Sequence, residues 1–94
     1  MTENELKRTV LVRAKARGWL VYHVPQATMR NGGGKGYPDL TLARNGRALF
    51  LELKQETGKL FVEQARWGAH LPEGTWHVIR PADVHDGTLE RLLQ

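Results

Sequence analysis

The stretch GYPDLTLARNGRALFLELK, Gly36 to Lys54, decides the fold. Asn45 and Gly46 at its centre are the strongest short-range hairpin signal, because a type I′ turn needs positive φ at both central residues. With those two in the loop, Arg44 pairs with Arg47 and the register runs outward. Leu42 then faces Leu49, Thr41 faces Phe50, Leu40 faces Leu51, and Asp39 faces Glu52. Successive side chains on a strand point to opposite faces. Leu40, Leu42, Leu49, Leu51 and Leu53 therefore share one face, and Asp39, Thr41, Phe50, Glu52 and Lys54 share the other.

Two carboxylates directly opposite in a sheet have Cβ atoms about 5 Å apart, and like charges there are destabilising. A divalent cation between them converts the repulsion into a ligand set. Hard oxygen donors suit Mg²⁺, which takes one or two carboxylates and keeps several waters. Lys54 points to the same side, placed to orient a water or to stabilise charge developing on a phosphate. The plainer reading is a solvated strand face carrying a Glu52–Lys54 pair. It leaves Asp39 opposite Glu52 unexplained.

Pro38 and Asp39, followed by Glu52, Leu53 and Lys54, resemble the PD-(D/E)xK nuclease signature. The Gly36–Asp39 segment, the short spacing to Glu52 and Lys54, and Gln64 after Gly58, Lys59 and Leu60 are most similar to its VRR-NUC branch. The resemblance covers nearly the whole chain. It implies a restriction-endonuclease-like core and a metal-dependent DNA endonuclease that hydrolyses phosphodiester bonds, leaving 5′-phosphate and 3′-hydroxyl ends. By this resemblance Asp39, Glu52 and the backbone carbonyl of Leu53 hold Mg²⁺ or Mn²⁺. Lys54 positions or activates the attacking water, and Gln64 orients Lys54 or a phosphate. A first-helix Glu joins the site through water or a second ion; Glu3, followed by Leu6, matches it better than Glu5, which Arg8 follows. Stand-alone members resemble Holliday-junction resolvases, which implies a homodimer acting on branched DNA. A nicking or flap nuclease in replication or repair, a non-catalytic nucleic-acid-binding module, and a small protein-interaction domain are the alternatives.

The whole chain, 94 residues, reads as one domain spanning 1–94 with one core. Fourteen Lys and Arg against ten Asp and Glu give +4, which suits a polyanionic partner. Absence of cysteine excludes disulfides and thiolate zinc sites. No signal peptide and no bilayer-length apolar run is visible. A soluble, cytoplasmic protein of a bacterial or phage-infected cell is expected, without membrane association. The glycine run before Asp39 is not a nucleotide-binding P-loop, since no Lys-Ser/Thr pair opens a helix after it; no nucleotide cofactor is expected.

Around the hairpin, the pattern predicts a helix from about Glu3 to Arg17. Thr2 and Glu5 form its capping box, and Leu6, Val10 and Ala14 lie on its packed stripe. Lys7, Arg8, Arg13, Lys15 and Arg17 read as a solvated basic face, and Gly18 as the cap. Trp19 to Val24 reads as a first strand, ended by Pro25. The irregular piece up to Tyr37 carries Arg30 and Lys35, which with Lys59 are the candidate DNA-binding cations. A second helix is predicted from Leu60 or Phe61 to His70, with Ala65, Gly68 and Ala69 allowing close packing and Gln64 at the edge of the packed face. Thr75 to Arg80 reads as a strand, Pro81 opens a helical segment, Gly87 interrupts it, and Thr88 to Leu93 buries Leu89, Leu92 and Leu93. The four histidines lack metal-ligand spacing and read as structural or surface residues, and Trp19, Trp67 and Trp76 as core or interface. This order gives an α/β fold, a mixed sheet of about four strands with helices on its faces.

Overall fold

The computed structural model describes residues 1–23 and 34–94. Arg30 and the predicted strand end at Val24 and Pro25 lie outside the described residues. In chain order the elements are α1 (Glu3–Ala16), β1 (Leu20–His23), β2 (Leu40–Arg44), β3 (Arg47–Leu53), α2 (Val62–His70), β4 (Trp76–Ile79), α3 (Pro81–His85) and α4 (Thr88–Leu93). They form an α/β fold around one mixed sheet of order β1-β2-β3-β4. The β1/β2 and β2/β3 pairs are antiparallel and β3/β4 is parallel. A parallel neighbour requires a crossover, and α2 is that crossover.

Local chemistry sets the ends of α1. The Glu5 N–H donates to Thr2 Oγ1 at 3.1 Å, and the Thr2 N–H donates to a Glu5 carboxylate oxygen at 2.8 Å, the capping box that sequence spacing predicts. Gly18 follows the helix with φ 82°, a left-handed residue that lets the chain reverse into β1. Leu6, Val10 and Ala14 then meet Leu40, Leu42, Leu49, Leu51 and Leu53 in the core, closed by Leu89 and Leu93 of α4. So α1 and α4 cover the leucine face of the hairpin. Leu92 is packed against this core but only partly buried. Trp19 is a core residue rather than part of the strand. Its indole N–H donates to the Leu93 carbonyl at 2.9 Å, and the guanidinium groups of Arg44 and Arg47 lie over its ring.

Two further expectations are corrected. Arg13 and Arg17 are not merely solvated, because both grip Glu90 of α4, at 2.7 and 2.5 Å, and so tie the two helices together. The small residues of α2 do not all pack. Ala65 and Ala69 are exposed, and only Gly68 makes a close approach, where an added Cβ would meet the Trp76 indole at 2.5 Å. Tyr37 fills the rest of the gap between helix and sheet, edge-on to Trp67 at 4.9 Å and to Phe50 at 6.3 Å. Thus α2 covers the β3/β4 half of the polar face. On the same face of β1, Leu20 and Tyr22 remain 76% and 58% exposed.

Candidate functional site

Asn45 and Gly46 have φ 48° and 81°, the pair of positive values a type I′ turn demands. The register that follows is the predicted one, from Arg44 opposite Arg47 to Leu40 opposite Leu51. In a two-residue hairpin the closing pair is hydrogen-bonded and the pairs alternate from there. Leu40/Leu51 is then a hydrogen-bonded pair. The ladder ends there: Asp39 stands just before β2 at a bend, and Glu52, next along β3, is paired with Val78 of β4. The Asp39 and Glu52 carboxyls are close enough to act on one another.

The N–H and C=O of a hydrogen-bonded residue point to the same neighbour. The amides of Phe50 and Lys54 point to β4, donating to Thr75 and Ile79; those of Leu51 and Leu53 therefore point toward β2. The ladder with β2 ends at Leu40/Leu51, so Leu53 lies past its last pair. The Leu53 N–H is satisfied by a side chain instead, donating to Asp39 Oδ2 at 2.8 Å.

Glu52 is the one polar side chain in the buried core among the described residues, 2% exposed, and its Oε1 has no hydrogen-bond partner. Burial pushes its pKa up to about 9, helped by the hydrogen bond to Asp39 and by the Asp39 charge; Lys54 opposes the shift, and Glu3 adds to it. A hard divalent cation here would be held by Glu52 Oε1, an Asp39 oxygen and, by the resemblance, the Leu53 carbonyl. These donors fit Mg²⁺ or Mn²⁺. Among the described residues no cluster of three or more His, Cys, Asp and Glu forms.

Lys54, half-buried beside this pair, holds its Nζ 4.7 Å from the centroid of the Phe61 ring. Gln64 Oε1 accepts the Phe61 N–H at 2.8 Å and caps α2, beside the ring that carries the Lys54 ammonium. Glu3 is exposed in the first turn of α1, where its charge reaches Glu52. Lys35 pairs with Glu63 at 3.5 Å, and Lys59 is exposed. The fold therefore brings Asp39, Glu52, Leu53 and Lys54 together and sets Glu3 and Gln64 at the margin. Sequence reasoning missed Phe61, the platform under Lys54, for which the sequence carries no signal. No family model matches the chain, and no curated protein or solved structure matches it.

Proposed function

We propose that this chain is a metal-dependent DNA endonuclease that hydrolyses phosphodiester bonds, with the restriction-endonuclease-like core of the VRR-NUC branch its hairpin resembles. The observation that carries the reading is the buried, unpartnered Glu52 Oε1 beside Asp39. A purely structural sheet has no use for such a pair, which costs folding free energy whenever it ionises.

Asp39, Glu52 and the Leu53 carbonyl hold Mg²⁺ or Mn²⁺, which when bound lowers the pKa of water and offsets charge on the phosphate. Lys54 places its ammonium at the same pocket, orients the attacking water and faces the charge that grows on the phosphoryl oxygens. Phe61 limits where that ammonium can go, and Gln64 fixes Phe61. Glu3 acts from the first turn of α1 through water or a second ion. Arg30, Lys35 and Lys59 hold DNA phosphates. Branched DNA is the proposed substrate and a homodimer the acting form, on the strength of the resemblance. The large apolar side chains left exposed on the edge strand β1, Leu20 and Tyr22, support self-association.

The experiment is incubation of the purified protein with labelled linear, flap and four-way DNA in Mg²⁺, Mn²⁺ or chelator, beside Asp39→Ala and Glu52→Ala. Metal-dependent cutting lost in both variants supports the reading. Salt-sensitive binding without cutting in any metal favours a binding module instead.

A further inference from the structure

A cleft of about 350 Å³ opens beside α2, lined by Lys35, Glu63, Arg66, Trp67 and His70. Four of these fall at i, i+3, i+4 and i+7 on the helix, one continuous stripe. The opposite wall is the segment that leads into Asp39. Trp67 pins it there, its indole N–H donating to the Lys35 carbonyl at 3.1 Å. Gly36 is pressed against the helix so closely that a Cβ would meet the Glu63 backbone at 2.6 Å. At the N-terminal end of α2, Phe61 carries the Lys54 ammonium. The cleft and the acid pair thus share both a helix and a loop.

Its charge balance singles out one residue. Most described arginines are engaged by the protein itself. Arg13 and Arg17 hold Glu90, Arg44 and Arg47 hold carbonyls of the C-terminal helix, Arg80 holds the 55–58 turn, and Arg91 reaches Thr88. Among the described residues Arg66 makes no side-chain hydrogen bond or ion pair, nor does His70 one turn on. Within the cleft Glu63 is matched by Lys35, which holds its carboxyl below the usual range together with a backbone hydrogen bond, the larger effect. The Arg66 guanidinium is left as the uncompensated charge, exposed on a cleft wall, with the fork of donors that suits a phosphate.

We infer that this cleft binds the phosphodiester backbone of the DNA strand entering the Asp39–Glu52 site, with Arg66 as the phosphate contact and His70 beside it. The inference rests on the nuclease reading for the direction of the strand. It requires only DNA binding for its test.

Binding of labelled DNA is measured by fluorescence anisotropy in chelator, over a series of salt concentrations, for the unaltered protein, Arg66→Ala, Arg66→Lys and Arg91→Ala. Arg91 lies on α4, across the sheet from α2, and removes the same charge. Arg66→Ala is expected to bind several-fold more weakly, with a log–log salt slope reduced by about one. Arg66→Lys recovers most of the slope, and Arg91→Ala matches the unaltered protein. Equal affinity and slope for Arg66→Ala and the unaltered protein, equal losses in Arg66→Ala and Arg91→Ala, or no DNA binding by any of them overturns the inference. Metal-dependent cutting is scored separately with Glu52→Ala, so either conclusion can fail alone.

Discussion

Asp39 Oδ2 accepts the backbone N–H of Leu53 at 2.8 Å, across the end of the β2/β3 ladder. This bond replaces the one that a ladder carbonyl would otherwise make, and it aims the Asp39 carboxylate at the strand that carries Glu52. One residue therefore closes the sheet and builds the acid pair, and substitutions can separate the two roles.

Asp39→Ala removes the acceptor and leaves the Leu53 N–H unpaired, which costs about 1–3 kcal/mol. Asp39→Asn keeps an acceptor oxygen and discards the charge. Urea unfolding without metal is expected to show a clear loss for Asp39→Ala and a much smaller one for Asp39→Asn. Calorimetric titration is expected to show Mg²⁺ binding lost in both.

Glu52 gives the pH dependence. Its pKa rises from 4.5 in the unfolded chain to about 9 in the fold, so the folded state holds the extra proton between those values. Metal-free stability is then greatest below the unfolded pKa and falls as pH rises toward 9. Glu52→Gln removes the titration. Its metal-free form is expected to exceed the unaltered protein by an amount that grows with pH, reaching on the order of a few kcal/mol at pH 8. Mg²⁺ reverses the order: at a hundred times its Kd it stabilises the unaltered protein by about 2.7 kcal/mol and leaves Glu52→Gln unmoved. Thermal melts across pH, with Mg²⁺ or chelator, measure both effects.

Gly68→Ala tests how α2 sits on the sheet. The new methyl falls 2.5 Å from an indole carbon of Trp76, on a ring that is itself held in the sheet. Helix propensity favours Ala at this position, and the clash outweighs it, for a net loss of about 1–3 kcal/mol. Chemical denaturation measures it.

Much of the fold was legible because it depends on chemistry confined to a few neighbouring residues. Asn45 and Gly46 fix the turn, the turn fixes the register, and the register sorts five leucines from the two acids. Thr2 and Glu5 place the start of α1 in the same way. The parts that were not legible depend on distant partners. Glu90 holds arginines more than seventy positions away. Ala65, Gly68 and Ala69 look alike as small residues, and only the position of Trp76 decides that Gly68 is the one that packs. Gln64 carries the amide expected near a nuclease site, while the structure uses that group to cap the helix on which Lys54 rests.

Cleavage of labelled DNA by Glu52→Gln in Mg²⁺ tests the central claim most directly, because this variant is expected to be the more stable protein without metal and cannot fail merely by unfolding. The unaltered protein is expected to cut and Glu52→Gln to lose at least a hundredfold in rate, an effect of the size that removing one preorganised electrostatic group produces. Equal rates for the two proteins would show that the buried pair of acids holds no catalytic ion.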